Sequence, residues 1–292
     1  MVNKTFGRVR INPLARLLRF GEYGLLSITV GLFGAFLGSS SVDIALVWLV
    51  IFIISSSAFG FVVNDISDRE LDAHTPCPRN PIADGSISLR VAVLVSALLL
   101  FVTVVSMVLL PAKLLWIECL ILFMFVTYSF LIKTKNIAGL DLVYHAVLPM
   151  LCGMLGYLLY SPVNLTGIIF FSLMALFGII SELFNEIRDI EKDRDSRRNS
   201  VMIMGERAAF KWTIVLMVLA LVLCAYLVSV QMGYYWLLPL FPFGLLLVRP
   251  VIRAMNDASY KAEFVEEMNT QAIKVAGISL LVFCALRFIG FM

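Results

Sequence analysis

Apolar residues in this chain gather into nine long runs, and about 20 such residues are what an α-helix needs to cross the hydrocarbon core of a bilayer. The runs cover 23–38, 44–63, 91–110, 114–132, 142–160, 165–184, 212–230, 233–248 and 275–291. With 61% hydrophobic and only 15% charged residues, the chain is far more apolar than a soluble domain. The expected fold class is therefore all-α, a membrane protein with nine transmembrane helices. The first and eighth runs are short, so their helices should extend past these limits.

The basic residues test that count independently, because cytoplasmic loops collect Lys and Arg. Lys4, Arg8, Arg10, Arg16 and Arg19 precede the first run, and Arg69, Arg79 and Arg90 follow the second. Lys133 and Lys135 follow the fourth. Arg188, Lys192, Arg194, Arg197, Arg198, Arg207 and Lys211 follow the sixth, and Arg249, Arg253, Lys261 and Lys274 follow the eighth. On this alternation 21 of the 23 basic residues share one face, leaving Lys113 and Arg287 on the other. The pattern predicts an integral membrane protein, in the cell membrane, with a cytoplasmic N-terminus and an external C-terminus.

Five basic residues lie within the first 20, with no continuous apolar core among them, so this segment does not have the form of a signal peptide. Residues 9–20 are expected to form a short amphipathic helix on the cytoplasmic surface. The five cysteines are scattered, with no CxxC or Cys/His spacing that would suggest zinc or a disulfide framework. A net charge of +3 is ordinary under the positive-inside rule and gives no indication of nucleic-acid binding. No linker or low-complexity stretch divides the chain, so residues 1–292 are expected to form one domain.

Two nine-residue segments follow directly on the second and sixth runs. Asn64-Asp65-Ile66-Ser67-Asp68-Arg69-Glu70-Leu71-Asp72 and Asn185-Glu186-Ile187-Arg188-Asp189-Ile190-Glu191-Lys192-Asp193 agree at five positions. In each, an Asn, an Asp and an Asp at i, i+4 and i+8 line one helix face over roughly 12 Å. Two such rows facing one another would bind divalent metal and a diphosphate, since Mg²⁺ prefers carboxylates, water and phosphate oxygens. Solvated acidic loops would explain the charge, but not the repeated Asn or the shared Asp spacing. Ionisable groups at a membrane boundary normally face a cavity or water.

These residues resemble the UbiA superfamily of intramembrane prenyltransferases. The family's first motif, NDxxDxxxD after the second span, is matched at Asn64, Asp65, Asp68 and Asp72, and its second, DxxxD after the sixth, at Asp189 and Asp193. The resemblance implies a helical bundle around a central cavity, open sideways to lipid and capped by two polar cytoplasmic loops. It also implies Mg²⁺ as cofactor, an allylic polyprenyl diphosphate as donor, a lipophilic acceptor and membrane lipid as surroundings. Metal and cationic side chains would neutralise charge on the leaving diphosphate, while the cavity keeps water from the allylic cation.

Carried over residue by residue, the resemblance makes Asn64, Asp68 and Asp72 the first metal-binding row. Asp189 and Asp193, aided by Asn185, make the second. Asp68, Asp72, Asp189 and Asp193 would be the catalytic carboxylates. Asp65 is turned about 100° from Asn64 along the helix, and Glu186 stands where many members have Asp; a ligand role and a structural role are both open for each. The segment from Pro76 to Gly85 resembles the family's RPIxxG loop, with Asn80 in place of the Arg before Pro-Ile and Arg79 one position earlier. Arg79 is accordingly the expected diphosphate contact, with Lys133 and Arg198 beside it and Asn64 within reach; Arg197 shares the place of Arg198. Lys133 and the arginines also serve as ordinary topology determinants.

Phe61, Tyr128, Phe177 and Phe184 lie near the cytoplasmic ends of the runs, where an aromatic face can stabilise a cation, although packing accounts for most aromatics. His74 and His145 are expected to be structural or loop-exposed. Asp141 and Glu118 should each need a partner, which the sequence does not name. Gly153 and Gly156 are candidates for setting cavity depth and hence donor chain length.

Three functions remain open at this point. The first is Mg²⁺-dependent prenyl transfer to an aromatic quinone or pigment precursor, or to an archaeal glycerol-ether phosphate. The second is a UbiA-type terpene cyclase, which would quench the cation within the donor chain. The third is a secondary transporter. Against transport, both acidic rows fall at one face and not at the midplane.

Overall fold

A computed structural model describes residues 12–19, 24–39, 42–74, 80–131, 137–193, 199–232, 251–256 and 285. Their regular structure is helical: α1 (Pro13–Leu18), α2 (Leu25–Gly38), α3 (Ile44–Ala73), α4 (Leu89–Leu109), α5 (Leu115–Val126), α6 (Leu140–Tyr160), α7 (Leu165–Asp193), α8 (Ser200–Met204) and α9 (Glu206–Met232). A π-helical turn, Thr127–Leu131, prolongs α5. Six of these segments are long and apolar enough to cross a membrane, and α2 is a shorter apolar helix. The first seven apolar runs thus each fall on a helix; those at 233–248 and, but for residue 285, 275–291 lie outside the described residues.

Helices α3 and α7 differ from their neighbours in length. At 30 and 29 residues, with a rise of about 1.5 Å per residue, each extends roughly 45 Å, against a hydrocarbon core of about 30 Å. The acidic motifs are therefore not loops: they continue the helices past the apolar runs. This keeps the i, i+4, i+8 rows on one helix face.

Asp43 starts α3 by accepting hydrogen bonds from the backbone of Ala45 at 3.0 Å and Leu46 at 3.3 Å, satisfying donors that a helix start leaves open. It also accepts from the Tyr160 hydroxyl at 2.8 Å, tying the end of α6 to the start of α3. At that same end of the bundle Lys113 Nζ donates to the Leu159 carbonyl at 3.0 Å. The end of α6 thus lies beside the start of α3, and only residues 161–164 separate it from the start of α7, so α3 and α7 run the same way.

The core forms around α2 and α6. One apolar cluster joins Ile28, Ala35, Leu49, Phe52, Ile117 and Leu155 from α2, α3, α5 and α6. A second joins Val30, Tyr157, Phe170, Leu183, Phe210 and Met217 from α2, α6, α7 and α9. Both require α2 and α6 to approach closely, and glycines permit it: a Cβ on Gly156 would meet the Gly31 carbonyl oxygen at 1.9 Å, and one on Gly34 the Gly153 carbonyl oxygen at 2.3 Å. Small residues at a contact are how helices associate where lipid supplies no hydrophobic drive. Gly156 thus packs against the backbone of α2, whereas a Cβ on Gly153 would meet Phe170 at 2.9 Å and Met174 at 3.4 Å on α7. By contrast, α4 exposes Leu94, Leu98, Phe101 and Val108 on its outer face, as a lipid-facing helix would.

Candidate active site

The motif-bearing ends of α3 and α7 are joined by a short chain of side chains. The Ser129 hydroxyl, in the π-helical turn, donates to Asn64 Oδ1 at 2.9 Å, while its carbonyl accepts from the Ser67 hydroxyl at 2.7 Å. Its neighbour Tyr128 stands edge-on to His145 at 5.6 Å and tilted against Tyr144 at 5.8 Å. His145 Nε2 lies 3.1 Å from Glu182 Oε2, which also accepts from Asn185 Nδ2 at 3.2 Å. Through these contacts the leading Asn of each row is fixed relative to the other.

Gly178 makes the α6–α7 part of this chain possible. A Cβ there would lie 1.7 Å from the His145 carbonyl oxygen, so only glycine lets α7 come close enough for Glu182, one turn on, to reach the His145 ring. The ring is steered from its other side by the Asp141 carbonyl, 2.9 Å from Nδ1.

In the first row, Asn64, Asp68 and Asp72 are half-buried, whereas Asp65 is fully buried. Asp65 forms an ion pair with Arg19 of the α1 end. Asn80 fastens the following loop against the row: its Nδ2 donates to the Asp65 carbonyl at 2.7 Å and to Asp72 Oδ2 at 3.1 Å, and its Oδ1 accepts from the backbone of Ile82 at 3.0 Å. The replacement of Arg by Asn before Pro-Ile thus yields a loop anchor. Farther along, Asp84 bonds Arg16 at 2.6 Å. Partial burial raises the Asp84 pKa, but hydrogen bonds from Ser86 and the Arg16 guanidinium outweigh it and hold the carboxyl below its ordinary range.

In the second row, Asn185 is half-buried and Glu186 is buried. Glu186 Oε2 accepts from the Val201 backbone at 2.8 Å, and Asp141 accepts from Ser200 through both the backbone, at 2.9 Å, and the hydroxyl, at 2.6 Å. These two carboxyl groups hold the start of α8 against α6 and α7. Ser200 is the partner that Asp141 needs. Glu118 is fully buried in α5, and neither of its oxygens accepts a hydrogen bond among the described residues.

Asp189 and Asp193 lie on α7; their side chains, together with Arg79, Lys133, Arg197 and Arg198, lie outside the described residues. Of the aromatic candidates, Tyr128 packs against Tyr144 and His145, Phe61 carries the Arg19 guanidinium 5.5 Å above its ring, Phe184 is packed in the core and Phe177 is exposed. His74 is exposed at the end of α3. Sequence reasoning passed over Ser129 and Glu182, and named Asn80 only as a replacement for Arg and Arg19 only as a basic residue before the first run, with no contact for either. Glu182 carried a legible signal, an acid inside an otherwise apolar run; the roles of the other three become visible only through contacts distant in sequence.

Residues 24–270 match the UbiA prenyltransferase family. The chain belongs to that family. It is a prenyltransferase. Among its relatives is a digeranylgeranylglyceryl phosphate synthase of Natronomonas pharaonis, 29% identical over 205 residues, covering 68% of this chain and 71% of that one. Another enzyme of that name, from Methanosphaera stadtmanae, is 28% identical over 217 residues, covering 73% and 76%. A UbiA homologue of Archaeoglobus fulgidus, solved bound to GPP and Mg²⁺, superposes with a TM-score of 0.76 at 17% identity, covering 94% of this prenyltransferase and 99% of that chain. A structure concerned with digeranylgeranylglyceryl phosphate synthase in membranes gives 0.70 at 20% identity, covering 94% and 98%. These two structural likenesses are ones of fold.

Proposed function

We propose that this prenyltransferase transfers a polyprenyl group from an allylic polyprenyl diphosphate to a lipophilic acceptor, with Mg²⁺ and with release of diphosphate. The acceptor we favour is a glycerol-ether phosphate, the class for which both curated relatives are named. The observation that carries the reading is the linkage of two Asn-led acidic rows through Ser129, Tyr128, His145 and Glu182.

The donor set suits a hard cation. Asn64, Asp68 and Asp72 offer only oxygen for coordination, at intervals of about 6 Å along α3, and Mg²⁺ is commonly held by one or two carboxylates with water and phosphate oxygens completing its octahedron. Asn64, Asp68 and Asp72 would hold one ion, and Asn185, Asp189 and Asp193 the other. Bound there, Mg²⁺ supplies charge neutralisation for the departing diphosphate.

Arg79, Lys133 and Arg198 are the residues we assign to the diphosphate itself, as fixed cations added to the two rows. Tyr128 can present its ring to the allylic carbon, and the apolar helices keep water from competing with the acceptor. As the donor carbon–oxygen bond breaks, the acceptor hydroxyl oxygen forms the new ether bond and gives up its proton to the departing diphosphate. The diphosphate leaves with the bonding electrons. In this reading the rows face the cytoplasm of the cell membrane, where soluble diphosphates are made.

The test is to incubate purified protein with labelled geranylgeranyl diphosphate, Mg²⁺ and geranylgeranylglyceryl phosphate, in parallel with aromatic acids and hydroxynaphthoates. Ether product and diphosphate release that disappear with EDTA are expected. A cyclised hydrocarbon formed without acceptor would replace the proposal with a terpene cyclase. Absence of diphosphate release with every acceptor would overturn it.

A further inference from the structure

Helix α1 begins at Asn12-Pro13, with Asn12 Oδ1 accepting from the Leu14 backbone at 2.9 Å. Its apolar residue Leu17 is fully buried beside Val62 of α3, Ile87 and Ala92. Its two arginines reach in different directions. Arg16 bonds Asp84 in the loop after α3, whereas Arg19, which ends α1 in the left-handed backbone region at φ 45°, pairs with Asp65. The Arg19 guanidinium also lies over the Phe61 ring, one helical turn before Asp65.

Asp65 is an unusual member of an acidic row. It is fully buried, its Oδ2 accepts no hydrogen bond among the described residues, and the charges of Asp68 and Asp72 bear on it. A buried carboxylate without a partner is strongly unfavourable. Its position, about 100° around the helix from Asn64, means that whatever holds Asp65 also bears on the roll of the motif-bearing end of α3. That roll decides where Asn64, Asp68 and Asp72 point.

We propose that Arg19 is a positioning residue for the first acidic row: its ion pair with buried Asp65 and its contact with Phe61 set the rotation of α3 that presents Asn64, Asp68 and Asp72 together. Arg19 acts through Asp65 and not on the diphosphate. The inference deepens the reading above and rests on its assignment of those three residues to metal.

The experiment is a double-mutant cycle of Arg19→Gln, Asp65→Asn and the pair. Mn²⁺ binding in the presence of inorganic diphosphate, followed by electron paramagnetic resonance, is measured beside the Mg²⁺ dependence of prenyl transfer. R19Q should weaken Mn²⁺ binding and raise the half-saturating Mg²⁺ by about tenfold, the scale of a coupled buried pair, with a smaller change in donor KM. R19Q/D65N should lose less than the two single losses combined, because neither charge is then left without its partner. If R19Q does not fold while the double variant does, the coupling through Asp65 is equally established. If R19Q raises donor KM with unchanged Mn²⁺ binding and D65N gives no recovery, Arg19 touches the diphosphate and the proposal is overturned. Failure of the functional reading is separate: wild-type protein would bind Mn²⁺ and diphosphate, and the cycle would still report coupling, yet no acceptor would be prenylated.

Discussion

Gly156→Ala is the severest test of the α2–α6 contact on which the bundle is built. The added Cβ would stand 1.9 Å from the Gly31 carbonyl oxygen and 2.9 Å from the Ala35 nitrogen, against an ordinary contact of 3.4 Å or more. Both obstacles are backbone atoms, so no rotamer change relieves them, and the two helices must part by about 1.5 Å, the shortfall from ordinary contact. In an ordinary helix interior Gly→Ala stabilises by about 1 kcal/mol. Here overpacking of about 3 kcal/mol opposes that gain, leaving a net loss of about 2 kcal/mol. Parting the helices also loosens the packing around Ala35 and Leu155, which are fully buried in the shared core. The measurement is the apparent melting temperature in detergent, followed by circular dichroism. A drop of several degrees is expected, with prenyl transfer falling in parallel because α6 also carries His145. A variant that melts at or above the parent would show that α2 and α6 do not meet backbone to backbone, and would refute the packing argument.

Removing a row carboxylate should have a different signature, since Asp68 and Asp72 are half-buried on α3 and are the residues proposed to hold metal. Asp68→Asn should lower diphosphate release by about a hundredfold or more with the melting temperature nearly unchanged. Glu186→Gln should keep most activity, because the amide oxygen can still accept from Val201, now at 2.8 Å, whereas Glu186→Asp, one methylene shorter, should lose the bond and activity with it; equal loss in both, with a raised Mg²⁺ requirement, would make Glu186 a metal ligand. Asn80→Ala should destabilise by about 1–2 kcal/mol, since its amide holds both the Asp65 carbonyl and the loop, and this is read as a shift in melting temperature. For the Arg16–Asp84 bridge, the depressed carboxyl pKa means that its stabilisation is fully present above the unfolded value of about 3.9 and is lost only as pH falls through the lower folded value. A label on α1 should accordingly report no release between pH 7 and 5.

The spans and the acidic rows were legible in sequence because both depend on local periodicity. Apolar runs of bilayer length predict helices, and the seven that fall on described residues coincide with helices α2 to α7 and α9. The i, i+4, i+8 spacing predicts a one-sided row, and the helical continuation of α3 to Ala73 supplies it for Asn64, Asp68 and Asp72. What was not legible depends on pairs far apart in the chain. Ser129 and Asn64 are 65 positions apart, Arg19 and Asp65 46, and Ser200 and Asp141 59. No periodicity announces such pairs. Gly153 and Gly156 show the same limit from the other side: small residues mark close approach, but only the positions of Phe170 and Met174 of α7 beside Gly153, and of α2 beside Gly156, say that helices approach them.

The two motifs resemble each other in spelling yet divide their acidic residues in a shared way. Asp65 and Glu186 occupy equivalent positions directly after the leading Asn, and both are buried, turned away from the half-buried Asn, and joined to a short neighbouring helix: Asp65 to Arg19 at the end of α1, Glu186 to the start of α8. The second residue of each motif therefore works as an anchor that sets the helix against its neighbour. The choice of anchor follows from the partner. A guanidinium is a cation and demands a carboxylate, whereas Val201 offers a neutral backbone N–H that any acceptor of sufficient reach can meet. On that physical ground position 65 should tolerate only an acid as long as Arg19 is present, and position 186 should tolerate Gln. Exchanging the two anchors, Asp65→Gln in one variant and Glu186→Gln in another, separates the cases: the first should fail and the second survive. Survival of both would mean that burial alone, and not the paired group, decides these positions.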